Sequence, residues 1–203
     1  MTKHITNSQS VVFSRDLVDD YLNILEQTIS RISREEIWSV TNILFTAWQN
    51  RRRVFICGNG GSAALASHMA NDLNKLTIST GKARMKAIAL TDNIPLMTAW
   101  GNDTEYENIF AEQMLNFLEP GDVLIAISTS GNSANILRAV ETAHANQAHT
   151  IALTGDLGGK LKNLVDACIF IPDDHIGRQE DGHMILDHVI SNTLRDLIAN
   201  HQY

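Results

Sequence analysis

The chain is predicted to form an α/β protein, a parallel β-sheet covered by helices on both faces. Three features of the sequence point there. From Val54 onward, short apolar runs alternate with segments whose apolar residues recur at helical spacing. Two of those runs open directly into Gly- and Ser-rich turns, Gly58-Asn59-Gly60-Gly61-Ser62 and Ser128-Thr129-Ser130-Gly131-Asn132-Ser133, each placed to start a helix. Finally, 203 residues with 44% apolar and 19% charged side chains suit one globular domain spanning the chain.

The elements follow in order. Residues 1–12 read as a loose lead-in, whose polar stretch Met1 to Ser10 lacks the basic and apolar pattern of a signal peptide. Leu17, Tyr21, Ile24, Leu25 and Ile29 mark an amphipathic helix over 13–32. Ile37, Val40, Ile43, Leu44 and Trp48 mark a second over 34–50. This leading helical segment, residues 1–50, is expected to pack on the sheet domain or to supply a helical interface to another subunit. Val54-Phe55-Ile56 is the first strand, and Ser62 stands where it would cap the helix that follows. A strand over 86–90, a short helix over 95–100, a longer helix over 105–118 and a turn at Pro120-Gly121-Asp122 come next. Val123 to Ile127 is the most strand-like run, followed by a helix to Asn146. Strands over 149–153 and 167–171 precede a closing helix over 178–199.

Composition narrows the function. A formal charge of −7 and a pI near 5.5 argue against an electrostatic nucleic-acid binder, and Arg51-Arg52-Arg53 is too short to reverse that. No apolar run is long enough to span a membrane. Cys57 and Cys168 fall in strand-like runs and read as buried free thiols of a cytoplasmic protein. His4, His144, His149, His175 and His201 read as surface or structural, and the three Trp as core or interface.

The chemistry gathers in four places. The turn before the first sheet helix (Asn59, Gly60, Gly61, Ser62) and the hydroxyl-rich turn (Ser128, Thr129, Ser130, Ser133) bring hydroxyls and helix-start amides together, as a phosphate monoester requires. Neither has the pattern of a nucleotide-binding loop. His68 and Asp72, four apart on one helix, read as a metal pair, an acid/base pair or a polar helix edge. On the closing helix, Glu180, His183 and Asp187 form one stripe with His188 beside it, among Met184, Ile185, Leu186, Val189 and Ile190. Two helices each carrying His and carboxylate groups can close a divalent-metal site. Asp103, in the turn Gly101-Asn102-Asp103, reads as a substrate contact or as the cap of the next helix.

These motifs resemble the sugar isomerase (SIS) domain. Cys57 to Ser62 followed by His68, and Ile127 to Ser133, are most similar to the sedoheptulose-7-phosphate isomerase, or phosphoheptose isomerase, family. Gly101-Asn102-Asp103, Leu153-Thr154-Gly155 with Gly158-Gly159, and a closing helix opened by Arg178 extend the similarity over nearly the whole chain. The resemblance implies a three-layer α-β-α sandwich of flavodoxin or Rossmann type, a five-stranded parallel sheet and a homotetramer with sites between subunits. It implies a phosphate held by Ser62, Ser128, Ser130 and Ser133, with Asn59, Gly60, Gly61 and Thr129 nearby and Asp103, Arg178 and Glu180 at the sugar. It also implies zinc on His68, Asp72, Glu180 and His188, with a carboxylate as base (Asp72 first, Glu180 second) and His188 as acid.

The sequence departs from the family pattern in places. Asp72 stands where Glu is usual, Glu180 where Gln is usual, Leu76 where a basic residue is expected and Gly177 where an acidic one is. A second register pairs Gln179 with Asp187 instead of Glu180 with His188. The implied reaction is isomerisation of sedoheptulose 7-phosphate to D-glycero-D-manno-heptose 7-phosphate through an enediol, feeding lipopolysaccharide or capsule synthesis. The rival is a non-catalytic member of the family that binds a sugar phosphate or a protein such as the replication initiator DnaA. That His68, Asp72, Glu180 and His188 are all ionisable favours the enzyme.

Overall fold

A computed structural model describes residues 16–202. Five strands, β1 (Val54–Gly58), β2 (Ala87–Ala89), β3 (Val123–Ser128), β4 (His149–Gly155) and β5 (Ala167–Ile171), form one sheet in the order β2-β1-β3-β4-β5. Every pairing is parallel. β1 and β3 are buried at every position, as strands covered on both faces must be. Their side chains alternate between two cores. Val54, Ile56, Ile125 and Ile127 point to one, and Phe55, Cys57, Leu124 and Ala126 to the other.

Helices α1 (Asp16–Ser30), α2 (Arg34–Gln49), α3 (Gly61–Lys75) and α7 (Ile176–Asn200) lie on the first face. Helices α5 (Ala111–Leu115) and α6 (Ala134–Ala145) cover the second, and α4 (Ile94–Asp103) leads into it. α2 starts at Ser33, whose hydroxyl accepts from the Glu36 amide, and packs on α7 and β5. α1 touches α7, with Thr28 its buried residue. Phe13, where the first helix is expected to begin, lies outside the described residues, as do His4 and the whole lead-in.

Four local differences from expectation have physical causes. β1 and β4 each run two residues further, because Gly58 pairs with Ile127 and Thr154 with Ser128 of the central strand. The helix expected over 105–118 is instead a 3-10 turn (Tyr106–Asn108) and the short α5. Ile109, Phe110 and Ala111 are consecutive and all buried, which one face of a continuous helix cannot achieve. Ser62 does not cap α3; Gly60 does, at φ 56°, and Ser62 lies within the first turn with its amide donating to the Asn59 carbonyl. Cys57 is buried and Cys168 only half-buried, both as free thiols.

The strand order matters for function. The chain leaves β1 for β2 on one side and returns to β3 on the other, so a crevice opens above the carboxyl ends of β1 and β3. Both Gly/Ser turns stand there.

Candidate active site

The hydroxyl-rich turn after β3 is arranged around oxygen atoms. The Ser128 Oγ lies 3.5 Å from both the Ser130 and Ser133 Oγ atoms, and it accepts from the Gly131 amide at 3.2 Å. Ser133 is the N-cap of α6, yet its hydroxyl makes no capping bond. That hydroxyl and the helix-start amides can therefore serve an anion. Gly131 has φ 61°, and a Cβ there would collide with the backbone of Gly158 and Gly159. The Leu161 amide donates to the Gly131 carbonyl at 3.0 Å, so the loop after β4 fixes the turn. Thr129 accepts from the Gly155 amide through its carbonyl.

Opposite, Asn59 is locked by Asn135, each amide donating to the other at 2.9 Å. The Tyr106 hydroxyl also donates to the Asn59 side-chain oxygen Oδ1, at 3.2 Å. Neither Asn135 nor Tyr106 was singled out from the sequence; they come from two other units of the fold, and no local motif joins them to Asn59.

α3 follows β1 and α7 follows β5, so both run from the carboxyl edge of the sheet in the same direction and pack side by side. Their first turns meet where the Glu180 carboxylate covers Gly61, in the space a Cβ would take. Roughly two turns further along both helices, His68 and Asp72 meet Asp187 and His188. One ligand atom from each of these four lies within 4.8 Å of all the others. His68 Nε2 is 3.3 Å from His188 Nε2, 3.7 Å from Asp72 Oδ2 and 3.8 Å from Asp187 Oδ2.

The structure brings His68, Asp72 and His188 together with Asp187, and Glu180 is not among them. Eight residues of helix rise about 12 Å, so Glu180 and His188 reach different places, whereas adjacent Asp187 and His188 reach the same one. Asp187 was visible in the sequence as a carboxylate interrupting an apolar stripe. Gln179, its partner in the alternative register, donates instead to the Asp173 carbonyl at 2.6 Å and is buried against Gly155. His183, on the same stripe, is buried with Nε2 3.1 Å from the Thr154 carbonyl, and burial pushes its pKa down to about 4.

Arg178 is committed elsewhere. Its Nε and Nη2 donate to both oxygens of Asp173 at 2.7 and 2.8 Å, and its guanidinium lies over the Tyr21 ring. The Arg178 hydrogen bonds hold the Asp173 carboxyl well below the usual carboxylate range, and Thr28 adds a third. Asp103 is exposed at the end of α4 and caps neither the 3-10 turn nor α5, whose N-cap residues are Glu105 and Phe110. A cavity of about 360 Å³ runs from Gly61 and Ser62 past Glu180 to His68.

A switch-point crevice beside two Gly/Ser-rich turns, with a His/carboxylate cluster between the flanking helices, is the arrangement of a SIS-domain protein, and the SIS-domain family profile matches residues 18–155. A phosphoheptose isomerase from Bordetella avium is 36% identical over 182 residues, covering 88% of this chain and 91% of that one. Another from Nitratiruptor is 38% identical over 161 residues, covering 79% and 86%. The solved phosphoheptose isomerase of Neisseria gonorrhoeae superposes with a TM-score of 0.82 at 32% identity, covering 89% of this chain and 98% of that one. The chain belongs to the phosphoheptose isomerase family.

Proposed function

We infer that the chain interconverts sedoheptulose 7-phosphate and D-glycero-D-manno-heptose 7-phosphate through an enediol. The observation that carries this reading is the cavity that joins Gly61 and Ser62 to Glu180 and to His68, itself a member of the ionisable cluster. Binding energy at the phosphate fixes the position of carbons one and two, which do not touch the phosphate site. Ser62, Ser128, Ser130 and Ser133 hold the phosphate, and the paired Asn59 and Asn135 keep the first turn in shape.

The cluster suits a divalent ion of the zinc type. Its imidazole and carboxylate donors are the ones such ions take, and a buried carboxylate oxygen, Asp187 Oδ2, has no hydrogen-bond partner among the described residues. His68, Asp72 and His188 would hold the ion, which when bound supplies Lewis-acid polarisation of the carbonyl. A carboxylate engaged by a cation is a weaker base. Glu180 lines the cavity outside the cluster, so it takes the proton beside the carbonyl while Asp72 ligates. His188 ligates through Nε2, so the proton it returns to the substrate oxygen is the one on Nδ1.

A homotetramer is consistent with α1, which shows Leu17, Val18 and Leu22 to solvent. No helix among the described residues is long and apolar enough to cross a membrane, consistent with a cytoplasmic enzyme of heptose supply. The test is conversion of sedoheptulose 7-phosphate by chelator-treated protein with and without zinc. Turnover that returns with zinc is expected. No turnover in either case, with the sugar phosphate still raising the melting temperature, would replace the enzyme with a binding protein.

A further inference from the structure

Asp187 occupies a position where packing alone would place an apolar residue. It lies on the buried stripe of α7 with Leu186, Ile190 and Leu194, and its side chain has 0% exposure. The Ser191 hydroxyl, one turn on, donates to Oδ1 at 3.1 Å and fixes the carboxylate. That leaves Oδ2 buried, without a hydrogen-bond partner among the described residues, and aimed at His68 Nε2. Burial of a carboxylate is costly unless a cation answers it.

One imidazolium at His68 would have to serve two carboxylates at 3.7 and 3.8 Å while facing the His188 Nε2 at 3.3 Å. A single divalent ion among the four groups satisfies all of them together. We propose that Asp187 is a fourth protein ligand, making the centre two histidines and two aspartates, with Glu180 outside it. This rests on the metal reading of the cluster. It settles the register left open by the sequence in favour of neither pairing: the adjacent residues Asp187 and His188 both ligate.

The experiment measures binding of Zn²⁺, and of Co²⁺ as a visible-spectrum probe, to chelator-stripped wild type and to Asp187→Asn, Asp187→Leu and Glu180→Gln. Both Asp187 variants are expected to lose more than about 100-fold in affinity, beyond the effect typical of an outer-shell partner. Glu180→Gln is expected within about twofold of wild type, as for an independent site. Metal-free Asp187→Leu is expected to melt no lower than metal-free wild type, since Leu suits the stripe; this keeps loss of binding distinct from loss of fold. Wild type that binds neither metal would overturn the metal reading itself. Wild type that binds while the Asp187 variants bind equally well, or while Glu180→Gln loses as much as they do, would overturn only the assignment of Asp187.

Discussion

The Nε2 atoms of His68 and His188 face each other at 3.3 Å, from helices that begin after the first and the last strand of the sheet. Two imidazoles in that arrangement share a proton or share a cation, because two Nε2–H groups cannot point at one another. His68→Ala and His188→Ala should therefore fail together. Each should abolish the cobalt spectrum and lower turnover by at least ~100-fold. A full spectrum in either variant would remove that histidine from the centre.

Glu180 and Asp72 should separate by readout. Glu180→Gln is expected to keep the metal and lose ~10²–10⁴-fold in kcat, the range for a general base. Asp72→Asn is expected to lose metal and turnover in parallel. Exchange of the substrate carbon-bound proton with deuterated solvent is the direct measure. Normal exchange in Glu180→Gln would return the base role to Asp72.

Phosphate recognition predicts a different signature. Ser130→Ala or Ser133→Ala removes a hydrogen bond to a charged group, worth about 1.5–3 kcal/mol, so KM should rise tenfold or more. The kcat value should change little, because the phosphate is held equally in the ground and transition states. A fall in kcat at unchanged KM would count against these turns as the phosphate site.

Two glycines should behave unlike each other. Gly61→Ala places a methyl against the Glu180 carboxylate, the end of a flexible side chain, so Gly61→Ala with Glu180→Ala should recover the stability that the single change loses. Gly131→Ala meets only backbone, at Gly158 and Gly159, and has φ 61°, so no side-chain change should rescue it. Thermal melts of the single and double variants check both statements.

Much of this architecture was legible because its signals are local. The strand Val123 to Ile127 and the turn Ser128 to Ser133 announce themselves within eleven residues, and spacing put His68 and Asp72 on one face. The Asn59–Asn135 pair and the Gly131–Gly159 contact were not legible, since each is made by elements that only the sheet order brings together. Glu180 illustrates a third case. Its distance from His188 along one helix was readable as helical rise, but resemblance to a Gln-bearing family pattern outweighed that arithmetic.

His183 gives the chain a dependence on pH. Burial lowers its pKa to about 4, below the ordinary value near 6.5, so the folded state keeps it neutral while the unfolded chain accepts a proton. Its contribution is fully present above about 6.5 and is lost as pH falls toward 4. Denaturant titrations should show stability dropping across that window, with a shallower drop in His183→Gln. Equal slopes would assign the loss to other groups.

The parallel docking of α3 and α7 has a consequence for how the protein is made. His68 and His188 are 120 positions apart, and the helix bearing the second follows all five strands of the sheet. A nascent chain that has released residues through β5 already holds both Gly/Ser turns and the loop that fixes the second of them. It nevertheless lacks every α7 group of the ionisable cluster, as well as Glu180. Affinity for phosphate should therefore appear during synthesis before any capacity for metal or for proton transfer, and an unfinished chain can hold a sugar phosphate without altering it.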